Sequence, residues 1–527
     1  MSIHPFWNRK WRFFPRRSGS SASRDAEQTK WRWLLIALFP VGFLLTYTAH
    51  SDSAAYILLT FLATVACGLL VKRLRLPLHV TLPIWVILGI FVVGYYIKFY
   101  WMTWVLENNM EWPFDMLFFL PARSNTLMLR AYVATSLGFI AFCLTAWVAL
   151  RWGGVWSMKP VPLSFDDSKQ IRRRIIRFSP AFLGILGIIM LVTGYAQYIT
   201  QVGIMGQDNI YLQFRMAGVI VHSRNIVIPT LLLLIVWLAD MWQLRRLFYI
   251  VLGMLMLHGL TQMVLMSSRG ILVNMILPVI FLWFTTDRFK GWRRGLTLGV
   301  IIFVLMAYPL FTSYRWLRLE DNPLDIFGAL TQAFQDLENP LANLSLRFSS
   351  VISRVTGVDS LLFAVQWGKE TLSLDTIQYY LFNPERTLPK IFTQDVAGFG
   401  PWMTSFQAAP SLLGTFYLMG GNTAVILGFV LWVALCELLW IRMMRLKWVT
   451  LPLIRAVFPT IILWTTMEGD LNILPRTVLI FGGSLCLCEF FVRKFVFPLS
   501  LFKQHPRVSP HSPRSMTEKA LKKTWSS

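Results

Sequence analysis

The chain has 527 residues, of which 55% are hydrophobic and 14% charged, and its mean hydropathy is +0.55. Soluble proteins carry about 25% charged residues, so an ordinary soluble fold is excluded. Continuous apolar runs of helical length also exclude a barrel of ~10-residue alternating strands. The formal charge of +24 would suit a nucleic-acid binder, but its distribution along the chain argues for membrane topology and against nucleic acid as a partner.

Residues 1–32 are basic, aromatic and polar. They read as a cytoplasmic tail and not as a cleavable signal, because no short hydrophobic core with a small-residue cleavage site follows. Twelve transmembrane helices are predicted, at 33–49, 54–71, 78–97, 131–150, 181–199, 221–239, 247–266, 271–286, 296–312, 411–440, 451–467 and 474–491. The stretch 411–440 contains Gly420-Gly421-Asn422 and reads either as one span or as a broken helix with a re-entrant piece. Residues 492–527 form a second basic tail. The expected fold is therefore all-α, a polytopic integral membrane protein of about 12 transmembrane helices. Residues 33–312 carry the first nine spans, 411–491 the last three, and a large helical loop, 313–410, lies between them.

Charge gives an independent check, since cytoplasmic loops are enriched in Lys and Arg. With both ends inside, 35 of the 50 Lys and Arg fall on inner segments and 14 on outer ones. All five cysteines (Cys67, Cys143, Cys436, Cys486 and Cys488) lie in apolar runs, with neither disulfide nor zinc spacing. No His/Cys cluster or spaced Asp pair suggests a metal, and none is expected.

Most outer loops are short. In the long one, Asn322-Pro323 and Asn339-Pro340 each open a helical pattern, the first with Leu324, Phe327 and Leu330 on one face, the second with Leu341, Leu344 and Phe348. Such helices would lie on the membrane surface and cap a cavity. Trp101, Trp104 and Trp112, in an outer loop spanning 98–130, suit interfacial anchoring.

Arginine is the second signal. Arg215, Arg224, Arg269, Arg315, Arg318, Arg347 and Arg354 all map outward. The planar guanidinium binds phosphate oxygens in pairs and keeps its charge in a partly dry site. A set of them beside the membrane would suit a lipid-borne diphosphate. The plainer alternative pairs each with a carboxylate such as Asp208, Glu320 or Asp321. Arg269 sits in the tight turn Ser267-Ser268-Arg269-Gly270, where Gly270 lets backbone amides approach an anion. A proton acceptor is harder to name. His222, two residues before Arg224, is one candidate, with a structural role as the alternative. Asp208, Asp359, Glu370 and Glu468 are others. His258, mid-span, reads as a core hydrogen-bonding residue. Glu437, Arg455 and Glu489 are expected to pair with one another as internal glue.

The turn Ser267-Ser268-Arg269-Gly270 and the long outer loop beyond it resemble features of the bacterial oligosaccharide repeat-unit polymerases, the O-antigen polymerase (Wzy) family. Arg347-Phe-Ser and Arg354-Val-Thr-Gly-Val-Asp359 are similar to an Arg-rich, Gly-containing stretch of that family, and Leu388-Pro389-Lys390 to its Ile-Pro-Arg segment. The run Gly414-Thr-Phe-Tyr417-Leu-Met-Gly420-Gly421 resembles the family's entry to a late span. It departs from the pattern at Thr415, where an acidic residue is frequent, and at Gly420, where an aromatic is common.

The resemblance implies a periplasmic loop, residence in the bacterial inner membrane with cytoplasmic termini, and an enzyme needing no cofactor. Such enzymes polymerise undecaprenyl-pyrophosphate-linked oligosaccharide into surface polysaccharide, in company with a chain-length regulator and a flippase. Arg269 and Arg315, with His222, would act catalytically. The seven arginines would hold pyrophosphate, and Gly270, Asp359, Gly414, Tyr417 and Gly421 are the family-motif positions. Besides a non-catalytic scaffold subunit of an export complex, two other classes remain open. One is a lipid-linked glycan flippase, for which polar or broken helices at the membrane midplane would speak. The other is a ligase of the O-antigen type.

Overall fold

The computed structural model describes residues 34–44, 54–74, 78–107, 124–153, 168–202, 216–266, 270–285, 328, 331, 357–368, 373–382, 388–396, 409–446 and 448–496. Every regular element among them is helical. Among the described residues, seven helices are long and apolar enough to cross a membrane.

A short apolar helix α1 (Leu34–Leu44) precedes α2 (Ala54–Arg73). Next, α3 (Leu78–Ile90) runs through a π-helical stretch, Phe91–Ile97, straight into α4 (Lys98–Glu107). The helix thus continues through Trp101 and Trp104, where an outer loop was expected. Then come α5 (Asn125–Gly153) and α6 (Ser168–Thr200). The next rod joins α7 (Met216–His222), a π-helical turn at Ser223–Val227, and α8 (Ile228–Met241). It is followed by α9 (Arg245–Met266) and α10 (Gly270–Thr285). Residues 286–312, which include the ninth expected span, lie outside the described residues. So do the two helical patterns opened at Asn322 and Asn339, except that residues 328 and 331 are helical.

Three short helices come from the stretch expected to form an outer loop. They are α11 (Val358–Trp367), α12 (Leu374–Phe382) and α13 (Leu388–Ile391), the last ending in a π-helical turn at Phe392–Val396. The chain closes with α14 (Ser411–Met444), α15 (Leu451–Glu468) and α16 (Leu474–Phe491).

The core lies where α5 packs against α2 and α14. Phe91 of the first rod stacks on Phe142 of α5 with centroids 5.6 Å apart and meets Phe429 of α14 at 5.0 Å. Apolar side chains also cover much of the outside. Leu191 and Val192 on α6, Leu257 on α9 and Leu431 on α14 are more than half exposed. Hydrocarbon around such faces would make them costless, whereas water would penalise them.

Two features of this core differ from a plain bundle. First, α11 is not a surface helix. Val358, Leu361, Leu362 and Ala364 are fully buried, because α11 packs between α5 and α14. Its entry residue, Gly357, rests on the Gly94 carbonyl so closely that a Cβ would collide with backbone. Second, α14 is broken, as one of the two sequence readings allowed. Gly421 has φ 59 and Gly420 also leaves helical geometry, conformations that glycine adopts at little cost. The piece before the break, residues 411–419, is buried along its whole length. After the break the helix has an inner face of Phe429, Trp432, Val433, Cys436 and Trp440 and an exposed apolar outer one.

Candidate functional site

The π-helical turn at Ser223–Val227 positions two of the expected site residues. Here the Ile228 N–H donates to the Ser223 carbonyl, five residues back. The same pattern would send the Arg224 carbonyl to residue 229, which is Pro229 and has no N–H. The orphaned carbonyl accepts instead from His258 Nε2 of α9 at 2.8 Å. That bond requires the proton on Nε2, because a carbonyl only accepts. His258 is thus the core hydrogen-bonding residue its mid-span position suggested.

The widened turn directs the Arg224 side chain inward, where it is 2% exposed. The Gln262 amide, oriented by its hydrogen bonding with Oε1 towards the guanidinium, accepts from Nη2 at 2.8 Å and from Nε. Gln197 of α6 borders the cluster. Its Nε2 donates to the Val202 carbonyl at 3.2 Å. Arg224 Nη1 lies against Gly194 and has no hydrogen-bond partner among the described residues. The guanidinium thus keeps one unused donor in the interior.

On the same turn, an open cleft of about 550 Å³ separates α7 from the start of α16. Its surface is almost wholly apolar, with walls from Val219, Val227, Leu479 and Ile480, and His222, Ser223 and Arg476 also line it. Arg476 is exposed and lies over Gly218, where a Cβ would stand 2.7 Å from Nη2. Arg476 and His222 thus border a greasy cleft. An amphiphilic anion has matching chemistry.

A second polar cluster lies where the α3–α4 rod meets α11, α14 and the turn between α15 and α16. Lys98 Nζ is 2.7 Å from Asp359 Oδ1, with the lysine wholly buried. The Tyr95 hydroxyl donates to Ser411 Oγ at 2.9 Å, and the Gly414 N–H donates to the same oxygen at 3.2 Å. Thr415 Oγ1 donates to the Gly469 carbonyl at 3.0 Å, and the Leu388 N–H to Asp470 Oδ1 at 3.2 Å. These contacts tie both the buried α11 and the short α13 to the bundle.

The structure therefore brings His222 and Arg224 onto one turn and places Asp359 and Gly414 in the second cluster. Tyr417 is buried on α14 and Gly421 forms its break. Gly270 opens α10. Arg215, Arg269, Arg315, Arg318, Arg347 and Arg354 lie outside the described residues, as do Asp208 and Glu370. Arg476, at the start of the expected span 474–491, was not among the seven arginines expected at the site. Its signal is the pair Pro475-Arg476 opening a late helix, where proline suits the first turn and the side chain stays at the helix mouth.

The expected mutual pairing of Glu437, Arg455 and Glu489 is not what forms. Glu489 accepts from the Val449 and Thr450 N–H groups at 3.0 and 2.9 Å and from Arg493 Nε at 2.6 Å. It caps the start of α15 because α15 begins with unsatisfied N–H donors. Arg455 turns its Nε to Met444 Sδ at 3.2 Å, and Glu437 makes no ion pair among the described residues.

Asp470, in the turn after α15, has its pKa raised from 3.8 to about 6, chiefly by burial, with the Leu388 N–H opposing the shift. A carboxyl whose folded pKa is raised favours the fold below the unfolded pKa and loses that contribution as pH rises through the folded one. Asp470→Asn keeps an oxygen for Leu388 but has no charge to bury. The variant is expected to lose the fall in thermal stability between pH 4 and pH 6 and to exceed wild type at pH 7, as read by melting in detergent. An unchanged profile would mean that the Asp470 carboxyl remains hydrated. Compared with protein-family models, with curated proteins and with solved structures, the chain matches none.

Proposed function

We propose that this protein is a glycan polymerase of the inner-membrane type, which joins polyprenyl-diphosphate-linked oligosaccharide units into a longer chain. The observation that carries the reading is the apolar cleft between α7 and α16, which has Arg476 and His222 among its lining residues. A polyprenyl diphosphate needs both chemistries, a cation for the diphosphate and an apolar surface for the isoprenoid tail. Arg224 lies beneath the same turn with an unused N–H. In this reading the bundle has twelve spans, its termini face the cytoplasm, and residues 313–410 belong to the periplasmic side, with the remaining outward arginines completing the site.

The chemistry is glycosyl transfer. The bond from the anomeric carbon to the diphosphate oxygen breaks, and its electron pair leaves with the diphosphate. A new C–O bond forms to a hydroxyl of the acceptor sugar, whose proton passes to a base. Guanidinium groups stabilise the charge that grows on the leaving diphosphate. The neutral His222 imidazole accepts the proton.

A second reading, a lipid-linked glycan transporter, is favoured by the broken helix α14 and the buried Lys98–Asp359 pair. Discontinuous helices and intramembrane charges are usual in such proteins. Reconstitution separates the two. Proteoliposomes containing the purified protein and polyprenyl-diphosphate-linked oligosaccharide should yield longer glycans and free polyprenyl diphosphate. Movement of the lipid between leaflets with no elongation would select the transporter, and neither outcome would reject both readings.

A further inference from the structure

Glu437 is a carboxyl that the proposed chemistry leaves unused. It lies on the inner face of α14 beyond the Gly420–Gly421 break, between Cys436 and the Trp440 ring that stacks on Phe458 of α15 at 5.8 Å. The residue is 5% exposed, and its Oε1 has no hydrogen-bond partner among the described residues.

The helices packed against α14 are α5, α11, α12, α15 and the α3 rod. Among the described residues, their titratable and charged side chains form no ion pair with Glu437. Arg455 of α15 points to Met444, and Arg151 of α5 lies over the Trp147 ring at 5.6 Å. Lys98 pairs with Asp359 of α11. Cys143 of α5 is a buried free thiol. Arg130 of α5, Asp375 of α12 and Glu468 of α15 form no ion pair with Glu437, nor does Arg442 on its own helix. An ionised carboxylate in this apolar setting has no ion pair to offset its lost hydration, which favours the neutral acid.

We infer that Glu437 is an intramembrane proton-binding site, loaded in the conformation described. This goes beyond the glycan reading and does not depend on it. A site of this kind exchanges its proton only when water or a donor reaches it. The glycine break earlier in the same helix is the place where α14 can bend to allow that.

Infrared spectroscopy of the full-length protein in lipid at pH 7 tests the inference. Wild type should show a protonated-carboxyl C=O stretch that shifts in D₂O and is missing from Glu437→Gln, a substitution of nearly equal shape. Identical spectra in that region would overturn it. If Glu437→Gln does not fold, Glu437→Asp serves instead. Its band should move in frequency, and an unmoved band would count against the site equally.

Discussion

Arg476→Ala is expected to reduce glycan elongation by roughly 10²–10³-fold, in line with the removal of one preorganised donor from a developing negative charge. The side chain is exposed at the mouth of the cleft and forms no ion pair among the described residues, so its loss should leave melting behaviour nearly unchanged. Arg476→Lys restores the charge without the planar fork and should recover only part of the rate. Arg224→Ala is different in kind. It removes a guanidinium that is 2% exposed and bonded to Gln262, so it should lower both activity and thermal stability. Elongation is measured as the chain-length distribution of glycan made in proteoliposomes. A correctly inserted Arg476→Ala protein that makes wild-type chains would remove this cleft from the reaction.

Lys98→Met is expected to be among the most destabilising single changes in the bundle. It leaves the Asp359 carboxylate facing a site built for a cation, and breaking a buried pair from one side costs about 3–5 kcal/mol. Because Asp359 stands in the first turn of α11, the loss should loosen the segment from 358 to 367. Asp359→Leu should do comparable harm. The double variant Lys98→Met/Asp359→Leu should recover most of the stability, since neither charge is then left alone. The fraction of monodisperse protein surviving graded heating in detergent gives the comparison. Strictly additive losses would show that the two charges do not support each other.

Much of this architecture is legible in the hydrophobic runs. The helices at 54–73, 125–153, 245–266 and 411–444 follow apolar stretches long enough to cross hydrocarbon, and Gly420-Gly421 marks the place where the last of them breaks. The stretch from 98 to 107 was harder to place. Lys98, Trp101 and Trp104 have the composition of an interface, yet the helix continues and Lys98 is buried. The chain pattern does not reveal that a carboxylate 261 positions further along will meet that lysine.

The candidate site divides in the same way. His222 and Arg224 are neighbours in sequence, and their shared turn could be anticipated. That Arg224 turns inward could not. It follows from a widened helical turn, from Pro229 withholding an N–H, and from His258 and Gln262 arriving on another helix. Arg476 becomes notable only once the start of α16 lies beside α7.

Local sequence therefore determined the helical class, the apolar length of the spans and the break in α14. These depend on side-chain hydrophobicity and backbone freedom, which act over a few residues. Tertiary structure alone decided that α11 enters the bundle, that Lys98 finds Asp359, and that Glu437, Arg455 and Glu489 go separate ways. An apolar ten-residue helix has the same sequence pattern on a surface or in a core. Which charge neutralises which is set by how distant segments pack, because a buried ion must find its partner in three dimensions.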